Sequence, residues 1–204
     1  MTGLRERKKA QTRQHIADTA ARLFGARGYD QVSVVDVARA AEVSDQTVYN
    51  YFPAKQDLVL DRAAEYSERY RRTVVERPSG TSPAAALRVL AREHVERHRG
   101  TELDEARGAL PAMCASSPTV RRYSLEMCDD HAEIVATAIT ETCPGLHPAV
   151  ARARAAALMS VFQMIADHIG RSVLEGRPPA VVADELAPMV EAVFDDLDRQ
   201  FQGD

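Results

Sequence analysis

The sequence has no tryptophan, few other aromatic residues and only three cysteines. Cys114, Cys128 and Cys143 are an odd number at irregular spacing, which argues against a disulfide framework. Free thiols are typical of a reducing compartment, so we expect a cytoplasmic protein. A chain of 204 residues buries about 70% of its unfolded surface when it folds, so it needs neither disulfides nor a metal ion for stability.

Long apolar runs and catalytic motifs are also missing. No apolar stretch approaches the roughly 18 residues that a membrane span needs. Asp18 and Arg22 interrupt the apolar residues behind the basic N-terminus, so a signal peptide is not expected. The sequence shows no glycine-rich phosphate loop, nucleophile elbow or paired metal motif. We therefore expect no membrane partner, no cofactor, no resident metal and no enzymatic activity.

The charged residues are unevenly distributed. The net charge is −4, yet residues 1–60 carry nine Lys and Arg against seven Asp and Glu, so the acidic excess lies in the remainder. The first 22 residues alone hold six basic and two acidic side chains. A basic end on an acidic body is typical of a protein with a small nucleic-acid contact.

Apolar residues recur at helical spacing along most of the chain. Clusters of glycine and proline separate the helical segments, for example at residues 77–83 and 176–179. The spacing predicts an all-α fold with helices over residues 4–27, 55–76, 84–99, 118–142, 148–175 and 180–201, a short helix and a bend within 100–117, and two short helices within 33–52.

Residues 33–52 predict two short helices joined by a tight turn. Ser33 is a good N-cap for the first helix, and Asp36 completes a capping box. Residues 42–43 leave room only for the turn, and Ser44 caps the second helix. Together with the preceding helix, this pair forms a compact helix-turn-helix unit.

The second of these helices has a narrow apolar face and a wide polar one. Gln46, Thr47 and Asn50 point outward. Gln and Asn pair bidentately with adenine, and the Thr methyl packs on the thymine methyl. Asp45 either accepts from a cytosine amine or serves the positive end of the helix dipole. We interpret this helix as one that enters the DNA major groove.

Residues 16–58 resemble the DNA-binding domain of the TetR (tetracycline-repressor) family of bacterial regulators. The resemblance covers about a fifth of the chain and includes the Gly28-Tyr29 pair, the helix-turn-helix and the aromatic run at residues 49–52. Glu42 stands where the family often has glycine, and a non-glycine residue with positive φ carries a cost there.

The resemblance implies a helix-turn-helix DNA-binding domain over residues 1–54 and a larger helical ligand-binding and dimerisation domain over residues 55–204. It also implies phosphate contacts from the hydroxyls of Tyr49 and Tyr51 and from the amine of Lys55. For Tyr49 the alternative is partial burial in the three-helix core.

Other phosphate contacts are also expected. Ser33 and the free N–H groups of its helix can hold a phosphate. The basic N-terminal arm, which contains Lys8, Lys9 and Arg13, either reaches the DNA or is a solvated terminus. The full set of predicted DNA-binding residues is Ser33, Ser44, Asp45, Gln46, Thr47, Tyr49, Asn50, Tyr51 and Lys55.

Family members are mostly released from DNA by small molecules, so the resemblance implies an effector pocket in the body. Methionine adapts its shape to a ligand, and a few polar groups would orient the ligand. Ordinary core packing is the alternative for each of these side chains. The candidate lining residues are Met113, Tyr123, Met127, Phe162, Gln163 and His168.

The last two predicted helices, 148–175 and 180–201, form a pair with apolar stripes. The resemblance implies that this pair and its copy in a second subunit form a four-helix interface. The alternative is packing within one subunit. A two-fold protein matches a palindromic site. The predicted dimer contacts are Ala157, Val161, Ile165, Ile169, Val190, Val193 and Leu197.

Two further pairs of side chains are candidates for a functional site. His94 and His98 are four residues apart, as in a metal-binding helix, and three carboxylates are near in sequence: Glu93, Glu102 and Asp104. No Cys-rich partner stands at ligand spacing, and both histidines stand among charged residues, which favours a solvated helix face. Cys114 and Cys128 could act as a thiol switch, although buried, inert cysteine is the common alternative.

The sequence therefore predicts a homodimeric transcriptional regulator, most simply a repressor, that binds palindromic operator DNA and is released by a small-molecule effector. The alternatives are a helical enzyme, a DNA-binding module controlled by a protein partner, and a non-specific architectural protein. A closed apolar pocket in the body would favour control by a small molecule. An exposed apolar patch without such a pocket would favour a protein partner.

Overall fold

The computed structural model describes residues 3–61 and 63–202, so the two predicted domain ranges extend slightly beyond the described part. Ten α-helices and no strand occur in the described residues, and the all-α prediction is confirmed. The helices are α1 (Leu4–Arg27), α2 (Val34–Ala40), α3 (Asp45–Tyr51), α4 (Ala63–Val75), α5 (Pro83–Arg99), α6 (Leu103–Arg107), α7 (Leu110–Ser116), α8 (Pro118–Thr142), α9 (Pro148–Leu174) and α10 (Pro179–Gln202).

Helices α1 to α3 form the N-terminal head, and local signals set their ends. Gly28 ends α1 with a φ of 82°, which favours glycine. Ser33 Oγ accepts from the Asp36 amide at 3.1 Å, and Asp36 accepts from the Ser33 amide at 2.9 Å. Ser44 Oγ accepts from the Thr47 amide at 3.1 Å at the start of α3. The predicted capping box and second cap are therefore confirmed.

The turn between α2 and α3 depends on Glu42. Its φ is 55°, and it is the one non-glycine residue with positive φ in the described part of the chain. The amide of Val43 donates to the Ala38 carbonyl at 3.0 Å, which closes the turn. A left-handed conformation of this kind costs on the order of 1 kcal/mol. The strain expected from having glutamate instead of glycine is thus present.

The helix predicted over residues 55–76 is interrupted, so the first part of that prediction is wrong. Residues Lys55–Leu58 form a single 3-10 turn, and α4 follows after a break. Asp57 caps this turn by accepting from a backbone amide at 2.8 Å. Arg13 of α1 forms an ion pair with Asp61, just before α4. The ion pair of Arg13 with Asp61 ties the link to the head.

Helices α4 to α10 form the body. The observed ends of α5, α8, α9 and α10 agree with the predicted ones to within one residue. The segment 100–117, predicted to hold one short helix and a bend, contains two short helices, α6 and α7. Helix α10 packs along α5, where Arg88 lies 2.8 Å from Asp195 and Arg92 lies 2.5 Å from Glu191.

Helix α9 is central to the body and packs against α7, α8 and α10. By length and composition alone it could cross a membrane, with a mean hydropathy of 1.3 over 18 residues, and it is the one such helix in the described part. An apolar stretch of this length differs from the expectation that no apolar run approaches a membrane span. A core helix of a soluble protein passes the same test, and contact with three neighbouring helices is typical of a core helix.

The head and the body share a hydrophobic core. Met113 and Cys114 of α7 and Val120 of α8 are buried in the same cluster as Phe24 and Val37 of the head. Helix α7 therefore belongs to the body by sequence and to the head by packing.

Glycines allow the α6–α7 segment to lie against two other helices. A Cβ on Gly108 would be 2.6 Å from the Ala21 carbonyl oxygen of α1, and one on Gly25 would be 2.9 Å from the Gly108 nitrogen. A Cβ on Gly170 of α9 would be 2.1 Å from the Pro111 carbonyl oxygen. Such distances leave no room for side chains, so α1 and α9 hold the α6–α7 segment between them through direct backbone contact.

Gly108→Ala should lower the free energy of unfolding by about 1–3 kcal/mol, because the added methyl overpacks the contact with α1. The matched control is Gly100→Ala. Both glycines end helices with φ near −90° (−86° and −89°), and a Cβ on Gly100 meets nothing closer than 3.8 Å. The control should change stability by less than about 1 kcal/mol. Urea unfolding measures both variants, and equal losses would contradict the close-contact explanation.

Candidate nucleic-acid interface

Helix α3 is anchored by a small apolar face and exposes its other sides. Val48 is fully buried, and Phe52 directly after the helix is 1% exposed. Tyr49 is 46% exposed, so the alternative that it is partly buried in the three-helix core does not describe this structure well. The exposed side chains of the helix are those of Asp45, Gln46, Tyr49 and Asn50.

The polar side chains of α3 bond to one another. Gln46 Nε2 donates to Asn50 Oδ1 at 3.1 Å, which holds the two amides side by side on the exposed face. The hydroxyl of half-buried Thr47 lies 2.8 Å from Ser44 Oγ. The hydroxyls of Ser44 and Thr47 are thus engaged at the helix start, and a base contact from Thr47 would use its methyl group.

The N-terminus of α2 already holds a carboxylate. The Ser33 amide and hydroxyl both donate to Asp36, at 2.9 and 2.7 Å, and these bonds hold the pKa of Asp36 below its usual value. Arg27 lies 3.8 Å from the same carboxylate. A phosphate at this helix end would meet an ionised carboxylate. The arrangement therefore does not favour the phosphate contact predicted for Ser33, which stays a prediction.

Lys55 is directed into the head. Its Nζ donates to the Tyr29 carbonyl at 2.5 Å and lies 4.0 Å from the centre of the Tyr29 ring. Partial burial lowers the pKa of Lys55. A phosphate contact would therefore require the amine to leave Tyr29. This pairing was not predicted, although Gly28-Tyr29 and Lys55 both lie in residues 16–58, the segment that resembles the family's DNA-binding domain.

A basic groove lies beside α3. Lys8, Lys9 and Thr12 of α1 and Tyr51 of α3 line an open groove of about 370 Å³. Arg13 is not available in the same way, because its Nη1 donates to the Tyr51 carbonyl at 2.7 Å. Lys8 and Lys9 therefore place accessible positive charge in the groove next to α3.

The residues predicted to line an effector pocket are divided between the head and the body. Met113 is buried in the core of the head, which does not favour its predicted ligand contact, and that contact stays a prediction. Gln163 donates to Asp167 at 2.8 Å on α9, and His168 lies 3.4 Å from Glu185 of α10. Neither the groove nor a dent of about 40 Å³ between α5 and α10 is lined by any predicted ligand residue. The three other predicted residues, Tyr123, Met127 and Phe162, are half-buried.

His94 and His98 lie on the inner side of α5, so the expected solvated face is wrong. His98 is 6% exposed, and the His94 ring lies 5.5 Å from the rings of Tyr66 and Phe162. Burial lowers the pKa of His98 and, with the nearby Arg97, lowers the pKa of His94 to about 4. The described residues contain no group of three or more His, Cys, Asp or Glu side chains that could hold a metal ion.

The thiol-switch alternative also lacks support. Burial raises the pKa of Cys114 and of Cys128. Near Cys114, the hydrogen bond with Ser124 and the charge of Arg121 offset this rise only in part. Both groups are thus mainly thiols near neutral pH, and the thiolate is the reactive form.

The stripe predicted to form the dimer interface faces into the subunit. Val161, Ile165, Ile169, Val190 and Leu197 are each at most 7% exposed and form part of the body core. Ala157 and Val193 are half-buried against the same core. These side chains already pack against neighbouring helices of the same chain, which does not favour the dimer contacts predicted for the five buried residues. Those contacts stay predictions.

Residues 16–61 match the family model of bacterial regulatory proteins of the tetR family. This match assigns the head of the chain to the tetR family. The chain is 33% identical over 108 residues to the transcriptional regulator TcmR of Streptomyces glaucescens, covering 53% of this chain and 48% of TcmR. It is 31% identical to the uncharacterized regulator YuxN of Bacillus subtilis, covering 54% of this chain and 41% of YuxN. The chain thus spans about half the length of these curated relatives.

Solved structures show the tetR-family fold over most of the chain. NalD, the secondary repressor of the MexAB-OprM multidrug efflux pump in Pseudomonas aeruginosa, aligns with a TM-score of 0.60 at 19% identity, covering 90% of this chain and 97% of NalD. FadR of Bacillus subtilis in complex with stearoyl-CoA aligns with a TM-score of 0.57 at 20% identity, covering 91% and 97%. Regulators of this family bind DNA, act as dimers, bind small-molecule ligands and are not enzymes.

Lys9→Ala should weaken binding to any DNA duplex and reduce the slope of log affinity against log salt by about one, because one phosphate neutralisation is lost. The control is Arg72→Ala, which removes an exposed cation from α4 in the body. A salt series followed by fluorescence anisotropy gives both slopes. The same slope for Lys9→Ala and wild type would contradict a DNA contact at the groove.

Proposed function

We propose that this protein is a TetR-type transcriptional repressor that binds palindromic operator DNA as a homodimer and is released by a small-molecule effector. The observation that carries the proposal is the exposed polar face of α3 within a tetR-family head. Gln46, Thr47 and Asn50 make the base contacts. Such contacts are worth about 1–3 kcal/mol each in discrimination between bases.

The backbone contacts surround this helix. Tyr49, which is exposed, and Tyr51, which lines the basic groove, donate their hydroxyls to phosphates on either side. Lys8 and Lys9 neutralise phosphates along the groove. Lys55 joins them after exchanging the Tyr29 carbonyl for a phosphate. Ser44 and Asp45 hold the start of the helix in place. Residues 1–54 thus form the DNA-binding domain, and residues 55–204 supply dimerisation and effector binding.

The dimer forms through the outward sides of α9 and α10. Helix α9 has α8 on one side and α10 on the other, and its inner side is in the core, which leaves the outward side for a second subunit. Small side chains on that side allow close helix packing. We define the dimer surface by six exposed residues, which are Ala153, Ala156, Ser160, Val181, Met189 and Ala192.

The effector acts from the body by favouring a head arrangement with lower operator affinity, which requires different affinities for two conformations. A regulator of this kind works in the cytoplasm, where its DNA is. Control by a protein partner is the second candidate. It is favoured by the absence of the predicted effector residues from both the groove and the dent, and by exposed apolar side chains such as Leu125 and Val150.

The proposal is tested by binding to the DNA just upstream of the protein's own gene and to a scrambled duplex of equal length. We expect the native duplex to bind at least about 10³-fold more tightly at moderate salt. Asn50→Ala should cost about 1–3 kcal/mol on the native duplex and leave the scrambled one unchanged.

The control for Asn50→Ala is Gln14→Ala, which removes an exposed amide from α1. It should leave the ratio between the two duplexes unchanged. Equal binding of both duplexes, with a steep decline in salt, would contradict a sequence-specific regulator of this DNA.

Ala156→Arg should convert the dimer into a monomer, because the large cation would be buried without a partner at the centre of the dimer surface. The control is Val89→Arg on α5, where the side chain is 52% exposed and lies outside the dimer surface. Sedimentation equilibrium gives the mass, and circular dichroism checks that each variant is folded. A dimer that persists in Ala156→Arg would contradict the proposed surface.

A further inference from the structure

A cluster of aromatic and imidazole rings fills the centre of the body. The Tyr70 ring lies 4.8 Å from that of Phe162 and 5.2 Å from that of His131, while His94 lies 5.5 Å from both Phe162 and Tyr66. These rings come from α4, α5, α8 and α9. We call these five residues the ring cluster. These rings meet in tilted and edge-to-face arrangements, which are favourable for aromatic rings and are also available to a planar guest.

Two imidazole nitrogens on the inner side of α5 are buried without a hydrogen-bond partner among the described residues. They are His94 Nδ1 and His98 Nε2. His98 follows His94 by one helical turn, so the two nitrogens belong to the same side of the helix. The Leu90 carbonyl, one turn before His94, partly offsets the lowering of the His94 pKa but meets Nδ1 in no hydrogen-bond geometry. An unpartnered buried polar atom is costly, and a hydrogen bond from a ligand group would recover that cost.

The surroundings of the ring cluster exclude a charged guest. Burial and the nearby Arg97 keep His94 neutral near pH 7. The carboxylate of Glu93 is occupied by its ion pair with Arg69 on the outer side. Arg97 is exposed and donates to the Tyr66 hydroxyl at 3.2 Å. Among the described residues, Glu93 and Arg97 thus provide no inward charge to balance a buried charged group, which is costly without a partner.

We propose that the ring cluster, with His98, binds a planar, uncharged aromatic compound that carries a hydroxyl or carbonyl group. Its rings stack between Phe162 and the tyrosines, and its polar group bonds to the unpartnered nitrogen of His94 or His98. The inference deepens the effector part of the proposed function and rests on it for its regulatory meaning. The binding itself does not depend on DNA.

Phe162 controls the space available for such a guest. Its half-buried ring stands between Tyr70 and His94 and also lies 6.5 Å from Phe194 of α10. A guest enters by displacing this ring, because the ring cluster is closely packed in the free protein. Half-buried Tyr66 lies at the outer edge of the ring cluster and marks the side of entry.

The test uses the full-length protein without DNA and compares 2-naphthol with naphthalene, which has the same rings and no hydroxyl, and with the anion 2-naphthoate. Calorimetry should give 2-naphthol about threefold to tenfold tighter binding than naphthalene, as expected for one neutral hydrogen bond. 2-Naphthoate should bind more weakly than 2-naphthol. The nitrogen resonances of His94 or His98 should shift with 2-naphthol and not with naphthalene.

His94→Phe and His98→Phe identify the nitrogen that is used. The variant at that position should bind 2-naphthol and naphthalene equally, with naphthalene unaffected. The control is His147→Asn, which changes an exposed histidine at the start of α9 and keeps a side chain that can cap the helix. Equal binding of both probes by the wild-type protein, or an unchanged preference in both phenylalanine variants, would overturn the proposal.

Phe162→Ala covers the case in which the wild-type ring cluster stays closed. Removing the ring creates the space directly, so this variant should bind 2-naphthol more tightly than the wild type. If neither protein binds 2-naphthol, the ring cluster is only a packed core and the proposal fails. Operator binding is measured separately, so a repressor with normal DNA specificity and no naphthol binding would refute the inference alone.

Discussion

The backbone contact between Gly25 and Gly108 is the constraint on which the relation between head and body depends. With no side chain on either residue, α1 and the end of α6 meet directly. Beside this contact, Met113 and Cys114 of α7 complete the hydrophobic core of the head. Packed interfaces of this kind have a few discrete arrangements and do not deform continuously. A tilt of the head therefore moves α6 and α7 with it or breaks their apolar contacts.

The same segment is held from the opposite side by α9, where Gly170 lies against the Pro111 backbone. Helix α9 also carries Phe162 and part of the proposed dimer surface. One rigid helix thus contacts the centre of the body, the outward face and the support of the head. A shift of α9 toward α7 has no free volume to absorb it at Gly170, so it is passed on to the α6–α7 segment. This steric continuity relates the body to the head without requiring a flexible linker.

The sequence predicted what local rules determine. The capping box at Ser33 and the helix ends near Gly28 and Gly100 follow from residues close in the chain. The break after Lys55 could not be predicted this way, since it depends on Tyr29 and α1, which are distant in sequence. Periodicity located apolar stripes on α9 and α10, but it does not tell which neighbour covers a stripe. The residues predicted to contact a second subunit instead pack in or against the core of their own chain.

The inward position of the two α5 histidines was available from the pattern. Leu87, Leu90, Ala91, His94 and His98 recur at helical spacing, and the charged residues between them occupy the other sides. The chemical role of these rings depends on residues from α4, α8 and α9, so no single segment of the sequence could reveal it.

The internal bonds of the head have an electrostatic consequence. Arg13 and Lys55 are held by backbone carbonyls, and Arg27 lies beside Asp36, so much of the formal positive charge is committed within the fold. The accessible cations of Lys8 and Lys9 stand on the first turns of α1, along one edge of α3. The positive electrostatic potential that an approaching duplex meets is therefore stronger on one side of α3. The duplex is drawn to one edge of α3 first, and this orients the helix along the groove before any base is contacted.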